Sequence, residues 1–152
     1  MRRAAALFAG IALALVWSQP ASALCAEPPS LGRAIAETSV VFAGTVTDTS
    51  SEGRWATVAV SDVWKGDVAA EVEVRGGPED PPGPISASSS VERTYRRGET
   101  YLVLPYAGSG EVFSDNACSG TTVYREGLAR LRPAGAHAPP EEPEAASSGR
   151  TP

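Results

Sequence analysis

Hydrophobic and polar positions alternate most clearly between Val40 and Asp67. Val40 to Thr47 is rich in β-branched residues, and Asp48-Thr49-Ser50-Ser51-Glu52-Gly53 carries turn chemistry. From Arg54 to Trp64 the pattern resumes, with Ala56, Val58 and Val60 on one face and Trp55, Thr57 and Ala59 on the other. Period-two alternation across a Gly-containing connection predicts a half-buried antiparallel hairpin. Val63 falls off the alternation, which predicts a bulge at Ser61 and Asp62. A bulge there would bend the strand and help a small sheet curl.

The same reading extends outward in both directions. Pro28 and Pro29 keep the entry segment extended, and Ser30 is placed to cap a short helix over Leu31 to Glu37, with Leu31, Ala34 and Ile35 on one side. After a sharp turn at Val63-Trp64-Lys65-Gly66-Asp67, a third strand is expected over Ala70 to Arg75, Val72 and Val74 facing inward. Residues 76 to 91 open on two glycines, hold four prolines and a serine-rich run, and read as a long polar loop. Tyr101 to Tyr106 reads as a fourth strand, Gly108-Ser109-Gly110 as a tight connection and Glu111 to Ala117 as a fifth strand ending at Cys118. Thr121 to Arg132 reads as a short helix carrying Val123, Tyr124, Leu128 and Leu131. From Pro133 the chain has five prolines, clustered glutamates and no large apolar residue, so 133–152 is expected to be a disordered tail.

The first 23 residues stand apart. Arg2 and Arg3, the apolar run Ala4 to Trp17 and the small-x-small triplet Ala21-Ser22-Ala23 compose an export signal cleaved after Ala23. The run is short for a membrane span, and Leu24 before Cys25 argues against a lipid anchor, so no membrane anchor is expected. The expected organisation is a leader over 1–23, one small domain over 24–132 and the tail. The product would be secreted or extracellular. Its single lysine among 13 basic residues, with abundant Ala, Gly and Pro, fits a GC-rich bacterial genome.

Charge and cysteine content narrow the functional classes. Loss of Arg2 and Arg3 with the leader takes the formal charge from −5 to about −7, which argues against nucleic acid as a partner, since phosphate backbones reward a basic surface. Cys25 and Cys118 are the only cysteines, and an even count in an exported chain reads as a disulfide. Closing a loop of about 93 residues is worth roughly 4–5 kcal/mol in the chain-entropy model. Zinc binding by this pair lacks the four ligands of a structural site.

Catalytic chemistry is sparse. The lone histidine, His137, falls in the expected tail, outside any Ser-His-Asp or Cys-His arrangement within the fold. No metal-ligand spacing and no phosphate-binding glycine pattern occurs, and no cofactor is expected. Asp62, Asp67, Glu71 and Glu73 read as solvated strand-end carboxylates, no two of them singled out as an acid pair. Trp55, Trp64, Tyr95, Tyr101, Tyr106 and Phe113 are assigned to core and rim packing, with a stacking platform as the alternative. Arg93, Arg96 and Arg97 read as a solvated turn. The chain is read as non-enzymatic.

The order of these segments resembles the family of tissue-inhibitor-of-metalloproteinases-like, or netrin-like, domains, including secreted bacterial members. The residues carrying the resemblance are Cys25, Val41-Phe42-Ala43-Gly44-Thr45-Val46, Val63-Trp64-Lys65-Gly66-Asp67, Arg97-Gly98-Glu99-Thr100-Tyr101-Leu102-Val103 and Asn116-Ala117-Cys118-Ser119. The implied fold is all-β: a five-stranded OB-type Greek-key barrel with short flanking helices, strapped by one disulfide. Members of the family typically open on Cys-x-Cys with two disulfides. Here Cys25 corresponds to the second cysteine, Ala23 stands at the first position, and its partner in the loop before the fourth strand is missing too. The implied function is a non-enzymatic protein-binding module using Leu24, Cys25, Ala26 and Glu27, with a zinc metalloprotease as a candidate partner. In the animal inhibitors the α-amine and carbonyl of the first cysteine chelate the protease zinc. A chain beginning at Leu24 lacks that terminus. The alternatives are a structural cell-envelope domain without inhibitory activity, or a carboxylate-dependent hydrolase.

Overall fold

A computed structural model describes residue 25 and residues 29–78 and 89–140. The leader, the candidate contact residues Leu24, Ala26 and Glu27, most of the long loop and the end of the tail lie outside the described residues.

The hairpin forms as its pattern predicts. β1 (Val41–Ser50) and β2 (Trp55–Lys65) pair antiparallel. Ala56, Val58 and Val60 are buried on one face of β2. Ala43 pairs with Asp62 while Gly44 pairs with Val60, so Ser61 is the extra residue of a bulge. Its hydroxyl donates to the Ala43 carbonyl at 3.2 Å. Beyond the bulge Val63 and Trp64 are both buried, in different clusters. Gly44 is required at this crossing, because a Cβ there would meet the Ala59 carbonyl at 2.7 Å.

β3 (Val68–Arg75) pairs antiparallel with the first half of β2 and buries Val68, Val72 and Val74. β4 (Thr100–Val103) pairs antiparallel with β1, and β5 (Ala107–Ser114) runs parallel to β3. A sixth strand, β6 (Thr122–Val123), pairs with β4 where the sequence predicted the start of a helix. Only Glu126–Leu131 is helical there, and as a 3-10 helix. The sheet is therefore mixed and six-stranded, in the order β5-β3-β2-β1-β4-β6, rather than five-stranded.

This sheet is curled on itself. The Phe42 and Phe113 rings lie 5.3 Å apart, although β2 and β3 stand between their strands. In a flat sheet three spacings would separate them by roughly 14 Å. The connection from β4 to β5 imposes the same curl. The Tyr106 amide donates to the Ser114 carbonyl at 3.0 Å, only three residues after Val103. Three steps span at most about 10 Å, against roughly 19 Å for four flat spacings.

Curling produces two apolar layers. Phe42, Val46, Val58, Val72, Val74, Val103 and Phe113 fill the inside. Outside, Val41, Ala43, Leu102, Leu104 and Trp64 pack beneath α1 (Leu31–Glu37) and the 3-10 helix. Alternate residues of β1 and β4 thus enter different layers, which makes both strands apolar on both faces. In α1, Ala34 and Ile35 are buried as predicted, but the Ser30 side chain makes no capping bond. The far end of the helix is held instead by the lone lysine. Lys65 Nζ donates to the Ile35 and Ala36 carbonyls, each at 2.9 Å, a charge-favourable position at a helix C-terminus.

The ordered chain extends past the expected boundary at Arg132. Val63 and His137 exchange backbone hydrogen bonds of 2.8 and 2.9 Å, adding a one-residue bridge to the part of β2 that β3 leaves uncovered. Arg132 clamps this strap with two bonds to Asp62, at 2.6 and 2.8 Å. The absence of large apolar residues made the segment look unstructured. Its backbone pairing and the clamp supply the order instead. Asp62 also accepts from the Trp64 indole at 2.8 Å.

The Phe42–Phe113 contact closes the interior, and its loss has a predictable cost. Phe113→Ala is expected to destabilise the protein by about 3–5 kcal/mol, read from the urea midpoint. A change below about 1 kcal/mol would show that the two rings do not meet in a packed core.

Candidate functional site

Three strand ends converge at one rim of the curled sheet: the start of β2, the end of β3 and the end of β5. The long loop leaves from this rim and returns to it. The β1–β2 turn lies here too. Ser51, Glu52 and Gly53 all have positive φ, at 49°, 57° and 86°, so the turn concentrates left-handed backbone that non-glycine residues rarely adopt. It is anchored by the Tyr95 amide, which donates to the Gly53 carbonyl at 2.8 Å.

A buried polar network fixes the rim from below. The Asp115 side chain is fully buried and forms an ion pair with Arg93, whose Nε lies 3.0 Å away; it accepts hydrogen bonds from the Tyr95 hydroxyl and from the Asn116 amide at 2.8 Å. Arg93 Nε also lies 3.1 Å from the Asn116 carbonyl. The Asn116 side chain in turn accepts from the amides of Cys118 and Ser119 at 2.8 and 3.1 Å. The turn that carries Cys118 is therefore built on the Asn116 side chain, and Asn116 is itself held through its amide by the buried, ion-paired Asp115 carboxylate. Cys25 is bonded to Cys118 in the expected disulfide, with Cα atoms 5.3 Å apart.

The rim aromatics separate into two groups. Trp64, Tyr95, Tyr101 and Phe113 are buried, with Tyr95 and Tyr101 edge-to-face at 5.2 Å. They are therefore unavailable as a stacking platform. Trp55 and Tyr106 remain accessible, Tyr106 being 64% exposed. Both line a cavity of about 460 Å³ with Arg75, Gly77, Val91 and Asn116. Arg75 lies over the Trp55 ring, 4.3 Å from its centroid, and its Nε bonds Glu73 at 2.5 Å. The Trp55 indole donates to the Gly77 carbonyl at 3.1 Å. Tyr106 also borders a smaller groove of about 220 Å³, lined by Pro29, Leu104, Pro105 and Cys118.

The structure brings together Cys25 and Cys118, and places Tyr106 beside the groove that Cys118 lines. It does not gather the four strand-end carboxylates: Asp62 pairs with Arg132 and Glu73 with Arg75. Of the expected solvated arginines, Arg96 and Arg97 are exposed, whereas Arg93 is turned in against Asp115. Asp115 itself was missed. Its signal was present in the alternation, which carries Phe113 and Asp115 to the same face. Arg54, 3% exposed, was missed as well; its Nε donates to the Pro78 carbonyl at 3.2 Å. Among the described residues, no group of three His, Cys, Asp or Glu side chains is placed to hold a metal, and no helix is long and apolar enough to cross a membrane. No protein-family model matches the chain, and no curated protein matches it in sequence.

Burial and the Asp115 carboxylate raise the Tyr95 phenol far above its usual value of 10.0. A folded-state value above the unfolded one stabilises the protein fully below pH 10. That contribution is lost as the pH rises past 10, where the unfolded chain ionises first. Tyr95→Phe is expected to lower stability at pH 7 by about 1–3 kcal/mol and to flatten its alkaline decline, measured by urea denaturation across the alkaline range. Parallel wild-type and variant profiles would remove Tyr95 as the alkaline trigger.

Proposed function

We propose that the protein is a secreted, non-enzymatic protein-binding module built on an OB-type barrel of the tissue-inhibitor-of-metalloproteinases-like kind. The observation that carries this reading is the Cys25–Cys118 bond. It fastens the expected start of the exported chain to the turn after β5, beside the exposed Tyr106. A terminus tied by a disulfide beside aromatic and polar side chains is suited to protein contact, because a covalent tether lowers the entropy lost on binding. The curl of the sheet and the parallel β3–β5 pair are compatible with a small barrel, with β6 as an addition outside its five strands.

Export would follow cleavage after Ala23, with Leu24 as the new terminus and Leu24, Cys25, Ala26 and Glu27 as the first contact residues. A zinc metalloprotease is the candidate partner that the resemblance names. A chain starting at Leu24 would have to bind it without the chelating cysteine terminus. The non-enzymatic reading draws support from the single histidine of the sequence. Its backbone bridges to Val63, and its Nδ1 lies 2.7 Å from the Ala138 carbonyl.

Intact mass and N-terminal sequence of the natively exported protein test this reading, together with binding to a panel of secreted zinc metalloproteases. The expected product starts at Leu24, is about 2 Da lighter before reduction than after, and binds through residues 24–27. Binding that survives replacement of Leu24, Ala26 and Glu27 by glycine would contradict the strapped terminus as the contact surface. A chain that starts at Cys25 would restore a chelating terminus and make zinc-directed inhibition the leading mode.

A further inference from the structure

We propose that the cavity beside the Trp55–Arg75 stack receives a carboxylate side chain from an extended segment of the protein partner, with Arg75 as the recognising fork. This rests on the protein-binding reading and names the chemistry of a second contact, apart from the N-terminal segment.

Arg75 is held in a way that prepares it for a ligand. Its guanidinium lies 4.3 Å from the Trp55 ring centroid, and Glu73 holds the Nε at 2.5 Å. Its backbone is fixed as well, since the Arg75 carbonyl accepts the Asp115 amide at 2.8 Å. Two side chains therefore set the plane and rotation of the guanidinium. Its Nη nitrogens have no hydrogen-bond partner among the described residues. A planar fork with Nε occupied and the terminal nitrogens open matches the two oxygens of a carboxylate, and stacking on the indole reduces the entropy lost on binding.

The surroundings favour a peptide side chain. Arg75 lines the cavity of about 460 Å³ together with Trp55, Tyr106, Ser114 and Asn116. Trp, Tyr and Arg are the residue types that dominate binding energy at protein interfaces, and here one of each meets at a single concave site. Tyr106 offers an exposed ring for an apolar neighbour of the bound acid. Asp115, also in the lining, is satisfied by Arg93 and Tyr95 and offers no charge of its own to a ligand. Glu92 also lines the cavity and accepts from the Ser89 amide at 2.5 Å; its charge disfavours a second acid in the same cavity. The occupant is thus a single Asp or Glu flanked by an apolar residue, not an acidic run.

The test uses the exported full chain with its disulfide intact. Two acetylated and amidated probes, Leu-Glu-Leu and Leu-Gln-Leu, are titrated while NMR follows the Trp55 indole and Arg75 Nε–H signals. The Glu peptide is expected to shift both signals and to bind about tenfold or more tightly than the Gln peptide, one charged hydrogen bond being worth about that factor. Arg75→Lys, which keeps the charge and loses the fork, should remove the discrimination. Tyr106→Ala, at an exposed position, should weaken both peptides while leaving the preference for Glu. Equal binding of the two peptides, or unchanged discrimination in Arg75→Lys, would overturn the proposal. So would binding of a galacturonate trimer without binding of the Glu peptide. Should a metalloprotease bind through residues 24–27 while neither peptide shifts Trp55, the fork fails and the protein-binding reading stands. Should the Glu peptide bind and no protease engage residues 24–27, the fork stands and the strapped terminus fails.

Discussion

The fold depends on a constraint of reach. β4 and β5 are joined by only a few residues, yet three strands stand between them in the sheet. No flat arrangement satisfies both facts, because the connection is shorter than the span it would have to cross. The sheet must curl until the ends of β4 and β5 approach each other. The Phe42–Phe113 contact then falls inside, and the apolar residues on the other face of β1 and β4 are left to be covered from outside by α1 and the 3-10 helix. The two-layer core, the position of both short helices and the role of Lys65 beneath α1 all follow from that curl.

The same curl assembles the rim of the candidate site. It brings the end of β5, and hence Asp115 and Cys118, next to the end of β3 and the start of β2. Asp115 would be costly to bury alone, and Arg93 and Tyr95 compensate its charge. Because the Cys118 turn is hydrogen-bonded to this network, the disulfide joins a site that the rest of the chain already shapes. It secures the N-terminal segment rather than the turn. At the opposite end of β2, Arg132 and Asp62 hold a C-terminal strap on the free edge. Cys25 and the segment from Arg132 to His137 are thus tied to the rest of the fold by a few directed interactions, a covalent bond for the first and an ion pair with backbone bonds for the second.

Much of this was legible in the sequence, for identifiable reasons. The hairpin, its bulge, the third strand and α1 each carry a local periodicity, and local periodicity is what sequence reading detects best. The disulfide followed from a count of two. The parallel pairing of β5 was not legible, because strand partners are chosen by the global path of the chain. β6 was hidden by a segment too short to show a period. The strap at His137 was hidden because backbone bonds and one ion pair hold it, without large apolar side chains. At the site, the separation of accessible Trp55 and Tyr106 from four buried aromatics needed three dimensions. Asp115 did not: its place in alternation with Phe113 pointed inward, and a buried acid calls for a nearby base such as Arg93.

The most direct test of the account is a nuclear Overhauser experiment on the aromatic protons of Phe42 and Phe113 in the oxidised protein. The curled sheet predicts strong cross-peaks between the two rings, which lie 5.3 Å apart between centroids. Well-resolved ring signals with no cross-peak between them would mean that β1 and β5 do not face each other. The rim built on their meeting would then have to be abandoned.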